Sequence, residues 1–259
     1  MPSSLLSSRD GAALVLTLSD PATRNTLSPQ VYAAGIEALE NCQTDPSVRA
    51  VIIRGDGATF CAGGDLNRIA TARERSPEAQ AEAIEQFNQW ILSLKACPLP
   101  VIAAVEGFAA GGGMALAMAC DLIVAAEDAR FVMSYGKIGL SPDGGGSWHL
   151  ARSLPRALAL ETLWLAEPVG ARRLHELGLV NRVTGQGEAY AGALKLAGQL
   201  AQMAPNVLAR VKQLVSDAPA QSLRTQMDDE REAFVDHLFH DNGGEGIGAF
   251  LAKRKPAFK

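Results

Sequence analysis

A strand that runs straight into three adjacent glycines constrains this chain more than any other feature. Residues 101–150 open on an apolar strand (VIAAVEG), pass through GFAAGGGM into an apolar helix (ALAMAC), return through a second strand (DLIVAA) and close on IGLSPDGGGSW. Gly111, Gly112 and Gly113 fall where strand becomes helix. With no Cβ in the way, a ligand can approach the N–H groups that a helix start leaves unpaired. Those groups carry partial positive charge, which suits a phosphate or a developing oxyanion. The same glycines would also let a helix pack closely on a sheet, and the residues alone leave both readings open.

A second bare-backbone exit precedes this one. Residues 48–54 read as a short strand, and GDGATFCAGGDLNRI follows it, with Ala62, Gly63 and Gly64 in succession. If the two strands are neighbours, one N–H from each exit converges on a single oxygen. Two preorganised donors on a carbonyl form an oxyanion hole. On a thioester carbonyl they would stabilise an enolate and make removal of an α-carbon proton feasible. Such chemistry needs a base. Asp143, in SPDGGG, is the candidate, although the same position suits a helix N-cap. In an apolar pocket, desolvation would disfavour its ionised form and make it a stronger proton acceptor.

The rest of the chain is read around these exits. Residues 12–19 form a strand followed by the turn DPATRN, and Ser28-Pro29 starts a helix that runs to Cys42. Ser76-Pro77 starts a long helix to about Lys95 with Ile84, Phe87, Ile91 and Leu94 on its apolar side. Beyond Leu150 the pattern turns helical: 154–165, then 171–177 ended by Gly178, the short strand LVNRV, and helices over 188–203, 205–215, 222–239 and 246–253. Alternating strands, helices and loops followed by helices alone predict an α/β core with a helical C-terminal region, divided as 1–195 and 196–259.

Bulk properties narrow the function. The 259 residues are 47% hydrophobic, enough for a sizeable core. A net charge of −4 offers no basic field, so no nucleic-acid partner is expected. The longest uncharged apolar run, between Glu106 and Asp121, is too short to span a bilayer, and MPSSLLSSRD does not read as a signal peptide. The expectation is a cytoplasmic protein with no membrane partner. Cys42, Cys61, Cys97 and Cys120 form no C-x-x-C pair, which predicts reduced thiols and no metal site. G-x-S-x-G, P-loop, H-E-x-x-H and G-x-G-x-x-G patterns are absent, which disfavours serine hydrolases, P-loop NTPases, zincins and dinucleotide-binding dehydrogenases. His237 and His240 lack an acid partner and read as surface or interface residues, and His149 and His175 are isolated. Lys253, Arg254 and Lys255 form a small basic cluster, available to solvent or to a ligand's phosphates.

Taken together, TFCAGGDL, EGFAAGGGMALAMACDLIVAAEDARF and IGLSPDGGGSWHLAR resemble the crotonase, or enoyl-CoA hydratase/isomerase, superfamily over essentially the whole chain. RNTLS and EGIGAFLAKRKPAF match its terminal signatures, and YGKIGLSPDGGGSW is most similar to the phenylacetate-pathway isomerase branch. The resemblance implies a spiral of ββα turns, a helical C-terminal trimerisation region, a homotrimer or dimer of trimers, and acyl-CoA thioester substrates. No cofactor is implied beyond the CoA moiety of the substrate. It assigns the oxyanion donors to the N–H groups of Gly64 and Gly112. It places Ala22, Arg24, Ala62, Asp65 and Leu66 at the CoA adenine and phosphates, Phe108, Gly111 and Tyr135 along the ligand, and Phe250 and Lys253 to Lys255 on a tail that can reach CoA.

The departures from that family carry as much weight. Hydratases of the family use two glutamates, and here Ala115 and Tyr135 stand in their places. Alanine does not titrate, and a phenol with a pKa of about 10 is no general base near neutral pH. Asp143 remains, at a position where several isomerases of the family hold an acid. The reading preferred is an isomerase in which Asp143 shuttles one proton. The alternatives are a hydratase that uses Asp143 with a pocket water, an aryl-CoA enzyme with Asp143 as nucleophile, and a non-catalytic CoA- or RNA-binding homologue. Acyl specificity is expected to depend on residues 71–87 and on the C-terminal helices. Met133, Tyr135, Trp148 and Phe108 are the side chains available either to line the acyl pocket or to fill the core.

Overall fold

In the computed structural model, which describes residues 3–259, the chain begins with a hairpin. Strand β1 (Ser4–Asp10) pairs antiparallel with β2 (Ala13–Ser19). β1 was not foreseen: SLLSSRD is polar and mostly exposed, and its partner strand rather than its own pattern holds it. Helix α1 (Pro29–Cys42) starts where expected, with the Ser28 side chain accepting from Val31 N at 3.3 Å. Strand β3 (Ala50–Gly55) follows, then α2 (Leu66–Arg73) and α3 (Pro77–Ala96), the latter capped by Ser76. Next come β4 (Val101–Val105), β5 (Phe108–Ala110) and α4 (Gly112–Ala119), then β6 (Leu122–Ala126) and β7 (Arg130–Val132). A short 3₁₀ turn (Ser134–Ile138) leads to α5 (Gly146–Ser153) and α6 (Arg156–Leu165). β8 (Val169–Gly170), α7 (Ala171–Glu176), β9 (Arg182–Thr184) and α8 (Ala189–Leu200) complete the core. Helices α9 (Pro205–Asp217), α10 (Leu223–Phe239) and α11 (Asp241–Leu251) end the chain. α11 begins earlier than the pattern indicated, because His240 caps it and carries the chain through Gly243 and Gly244, poor helix formers in isolation.

The strands form two sheets, a six-stranded one in the order β1-β2-β3-β4-β6-β9 and a three-stranded one in the order β5-β7-β8. From β2 to β9 the large sheet is parallel. A parallel sheet is covered on both faces, so its central strands are apolar throughout. On β3, Val51 and Ile53 join the main core while Ala50 and Ile52 face α8 with Ala193, Leu196 and Ala197. On β4, Val101, Ala103 and Val105 divide from Ile102 and Ala104 in the same way.

The two sheets are linked turn by turn. β4 leaves the large sheet into β5 and then α4, and β6 leaves it into β7 and then the 3₁₀ turn and α5. β3 does the same: beyond it, Cys61 bridges Ala109 of β5 before α2 begins. Three successive strand exits are thereby stacked side by side. All four cysteines are free and buried. No helix among the described residues is long and apolar enough to cross a membrane.

Candidate active site

The stacked exits are pinned by backbone bonds. Cys61 N donates to Phe108 O at 3.0 Å and Ala110 N donates to Cys61 O at 2.9 Å, so the first glycine exit runs along β5. Gly111 N donates to Val132 O at 2.8 Å, which ties the second exit to β7. Glycine is required at the crossing. A Cβ on Gly113 would lie 2.4 Å from Cys61 O, and one on Gly63, at φ +85°, would lie 2.6 Å from Ala110 O and 3.1 Å from Gly112 N. Close approach of the two backbones is therefore the reason for these glycines, and it is what brings Gly63-Gly64 against the start of α4. Gly112 is the first residue of α4, where an N–H has no intrahelical acceptor.

Gly64 and Gly112 line one cavity of about 250 Å³ together with Tyr135 and Asp143. Asp143 does not cap α5, contrary to one sequence reading: Gly145 holds that place, at φ +75°, with no side-chain cap. The Asp143 carboxylate instead accepts from the Tyr135 hydroxyl at 2.5 Å. Two consecutive glycines with positive φ, Gly144 and Gly145, turn the chain sharply after Asp143, and a Cβ on Gly144 would sit 2.2 Å from the Phe87 ring. Burial raises the pKa of Asp143 above the ordinary carboxylate range, against the opposing effect of the Tyr135 hydrogen bond. Burial and the neighbouring Asp143 anion both raise the Tyr135 pKa, which keeps it a neutral donor.

The cavity walls come from helices whose role the sequence did not reveal in detail. α2 and α3 supply Ile69, Ala72, Ala83, Ile84 and Phe87, within the 71–87 region expected to matter or just before it, and Tyr32 comes from α1. Arg68, also unforeseen, lines the cavity from α2 and donates from Nη2 to Leu27 O at 3.1 Å. Asn25 is a further unforeseen residue. Almost wholly buried, at φ +59°, it donates from Nδ2 to Asp56 O at 2.9 Å and Thr59 O at 2.7 Å, and its Oδ1 accepts from Asp20 N. Its one sequence signal was its place in a turn, where asparagine tolerates left-handed backbone.

The other expected residues lie outside the cavity lining. Ala22 is exposed on the 3₁₀ turn Pro21–Thr23, and Arg24, at φ +58°, accepts from Ala62 N at 3.0 Å through its carbonyl. Asp65 caps α2 through Asn67 N, and Leu66 is exposed beside it. Gly111 caps α4 at φ +52°. Phe108 is exposed on β5, Met133 is buried against Gly146, and Trp148 lies at the surface under the Arg152 guanidinium, so of the four proposed lining side chains Tyr135 alone reaches the cavity. Phe250 and Lys255 are exposed at the C-terminal end, where Arg254 pairs with Glu245 at 2.6 Å.

A protein-family model described as "Enoyl-CoA hydratase/isomerase" matches residues 8–259. The chain is 35% identical to the 1,2-epoxyphenylacetyl-CoA isomerase of Escherichia coli K12, over 98% of this chain and 97% of that protein. It is 34% identical to the 2,3-dehydroadipyl-CoA hydratase of the same organism, over 99% of each chain. A crystal structure of an enoyl-CoA hydratase from Polaromonas sp. JS666 superposes with a TM-score of 0.98 at 55% identity, covering 99% of this chain and 100% of that one.

Proposed function

The chain belongs to the enoyl-CoA hydratase/isomerase family, and from that premise we propose that it is an isomerase of enoyl-CoA thioesters. The observation that carries this reading is the cavity's acid content. Among its described lining residues Asp143 is the one carboxylate, and the family resemblance puts Ala115 and Tyr135 where hydratases carry their two glutamates. One carboxylate is sufficient to take a proton from one carbon and return it to another. Hydration also needs a positioned and activated water.

In the proposed mechanism the N–H groups of Gly64 and Gly112 donate to the thioester oxygen. The negative charge that develops there as the enolate forms is met by two fixed dipoles. Asp143 removes the proton; desolvation has raised its pKa, which strengthens it as a base once ionised. Tyr135 holds the carboxylate by donating to one oxygen and leaves the other free to face the substrate. Ala22, Arg24, Ala62, Asp65, Leu66, Phe108, Gly111 and Lys255 are proposed for the CoA moiety, outside the cavity itself. The exposed apolar side chains of α10 and α11 are proposed as the surface through which copies of the chain assemble as a trimer or a dimer of trimers.

A hydratase remains the second reading, favoured by the relative named 2,3-dehydroadipyl-CoA hydratase, which matches over the full length. Two assays separate the readings: double-bond migration in a 3-enoyl-CoA, and water addition to a 2-enoyl-CoA. The isomerase reading expects the first to exceed the second by at least about tenfold, which corresponds to about 1.4 kcal/mol of barrier. Hydration as the faster reaction overturns it.

A further inference from the structure

We infer that Arg68 makes this cavity selective for an acyl group that itself ends in a carboxylate: the monothioester of a short dicarboxylic acid. The inference rests on the acyl-CoA reading above and concerns what the acyl end looks like. Arg68 stands on the first turn of α2 and lines the cavity. One of its guanidinium nitrogens, Nη2, donates to Leu27 O. The other, Nη1, is shielded from solvent and has no hydrogen-bond partner among the described residues. Arg68 also enters none of the described ion pairs. A guanidinium does not shed its proton to escape this. A buried donor on a permanent cation, left unpaired, is unfavourable, and an anionic oxygen is the partner that relieves it best.

Among the described residues none supplies that anion. The one carboxylate among the described lining residues, Asp143, is held by Tyr135. The Tyr32 phenol beside Arg68 is no anion either: burial raises its pKa most, the adjoining guanidinium lowers it by hydrogen bonding and by charge, and the Asp143 anion raises it, with a net upward shift that keeps it neutral. The cavity therefore offers a base and an unpaired cation to one ligand, with apolar walls from Ile69, Ile84 and Phe87. Its volume, about 250 Å³, lies below the usual range for ligand pockets and fits a short acyl group. Leu27, whose carbonyl anchors the guanidinium, also bridges Gly64, so the cation is tied to the segment that lies beside one of the proposed oxyanion donors.

The test measures binding of saturated thioesters by calorimetry: succinyl-, glutaryl- and adipyl-CoA against butyryl-, pentanoyl- and hexanoyl-CoA, with free CoA as reference. The wild-type chain is expected to favour one carboxylate-ended thioester over its methyl-ended counterpart by about 10- to 100-fold, the range for a hydrogen bond to a charged group. Arg68→Met should bring that ratio close to one. Arg68→Lys, which keeps the charge without the fork, should keep part of it. Unchanged melting of each variant excludes a folding defect. A wild-type ratio near one, or an Arg68→Met loss shared equally by both series and by free CoA, overturns the inference. Selectivity that survives while no thioester exchanges its α-proton would defeat the catalytic reading and leave this one standing.

Discussion

At the scale of single residues, the proposed chemistry rests on two opposed effects at Asp143. Burial favours its neutral form, and the Tyr135 hydroxyl favours its ionised form. Tyr135→Phe removes the second effect and leaves the first, so the carboxyl pKa rises further. The base is active when ionised, and activity is lost as pH falls through that pKa. The acid limb of the kcat/KM profile for isomerisation should therefore move to higher pH in Tyr135→Phe. A limb that stays in place or moves down would show that Tyr135 does not act on Asp143. Asp143, Gly64 and Gly112, the residues proposed for the chemistry, stand out in the sequence because each lies in a dense local motif, and the structure brings all three to one cavity. Arg68, Tyr32 and Asn25 were not, because their meaning comes from partners distant in sequence: Asn25 binds the carbonyls of Asp56 and Thr59, and Tyr32 meets Phe87 ring to ring at 5.2 Å.

At the scale of elements, local signals served best where a helix start or a buried strand was involved. Ser28-Pro29 and Ser76-Pro77 begin α1 and α3 as their chemistry dictates, and β3 and β4 are apolar because both faces are covered. β1 and the true start of α11 were hidden, one by a polar edge strand and the other by two glycines inside a helix. The last helices carry an unresolved debt to hydrophobicity. Phe239 of α10 is 84% exposed and Leu251 of α11 is 76% exposed, and α9 buries no residue fully. Apolar surface on this scale marks an interaction surface. Phe239→Asp should shift the sedimenting species toward the single chain without lowering its helix content, because little of the side chain is buried within its own chain. An unchanged sedimentation coefficient, or a single-chain species in the wild type, would reject these helices as the assembly surface.

At the scale of the whole molecule, the site is a product of the winding. Strand exits after β3, β4 and β6, far apart in sequence, are laid side by side by the two sheets and deliver Gly64, Gly112 and Asp143 to one cavity. The α/β class and the two glycine exits could be read from residues alone. That the exits meet could be stated only as a condition on neighbouring strands, which β3 and β4 satisfy by pairing in parallel register. The central claim is that the two amides hold the thioester oxygen while Asp143 carries the proton. The most direct measurement is deuterium uptake at the α-carbon of a 3-enoyl-CoA in heavy water, for the wild type and Asp143→Asn, with thioester affinity measured in parallel. The account predicts uptake by the wild type, a fall of about 10²–10⁴-fold in Asp143→Asn, and affinity that changes little. Uptake by Asp143→Asn at the wild-type rate would contradict it.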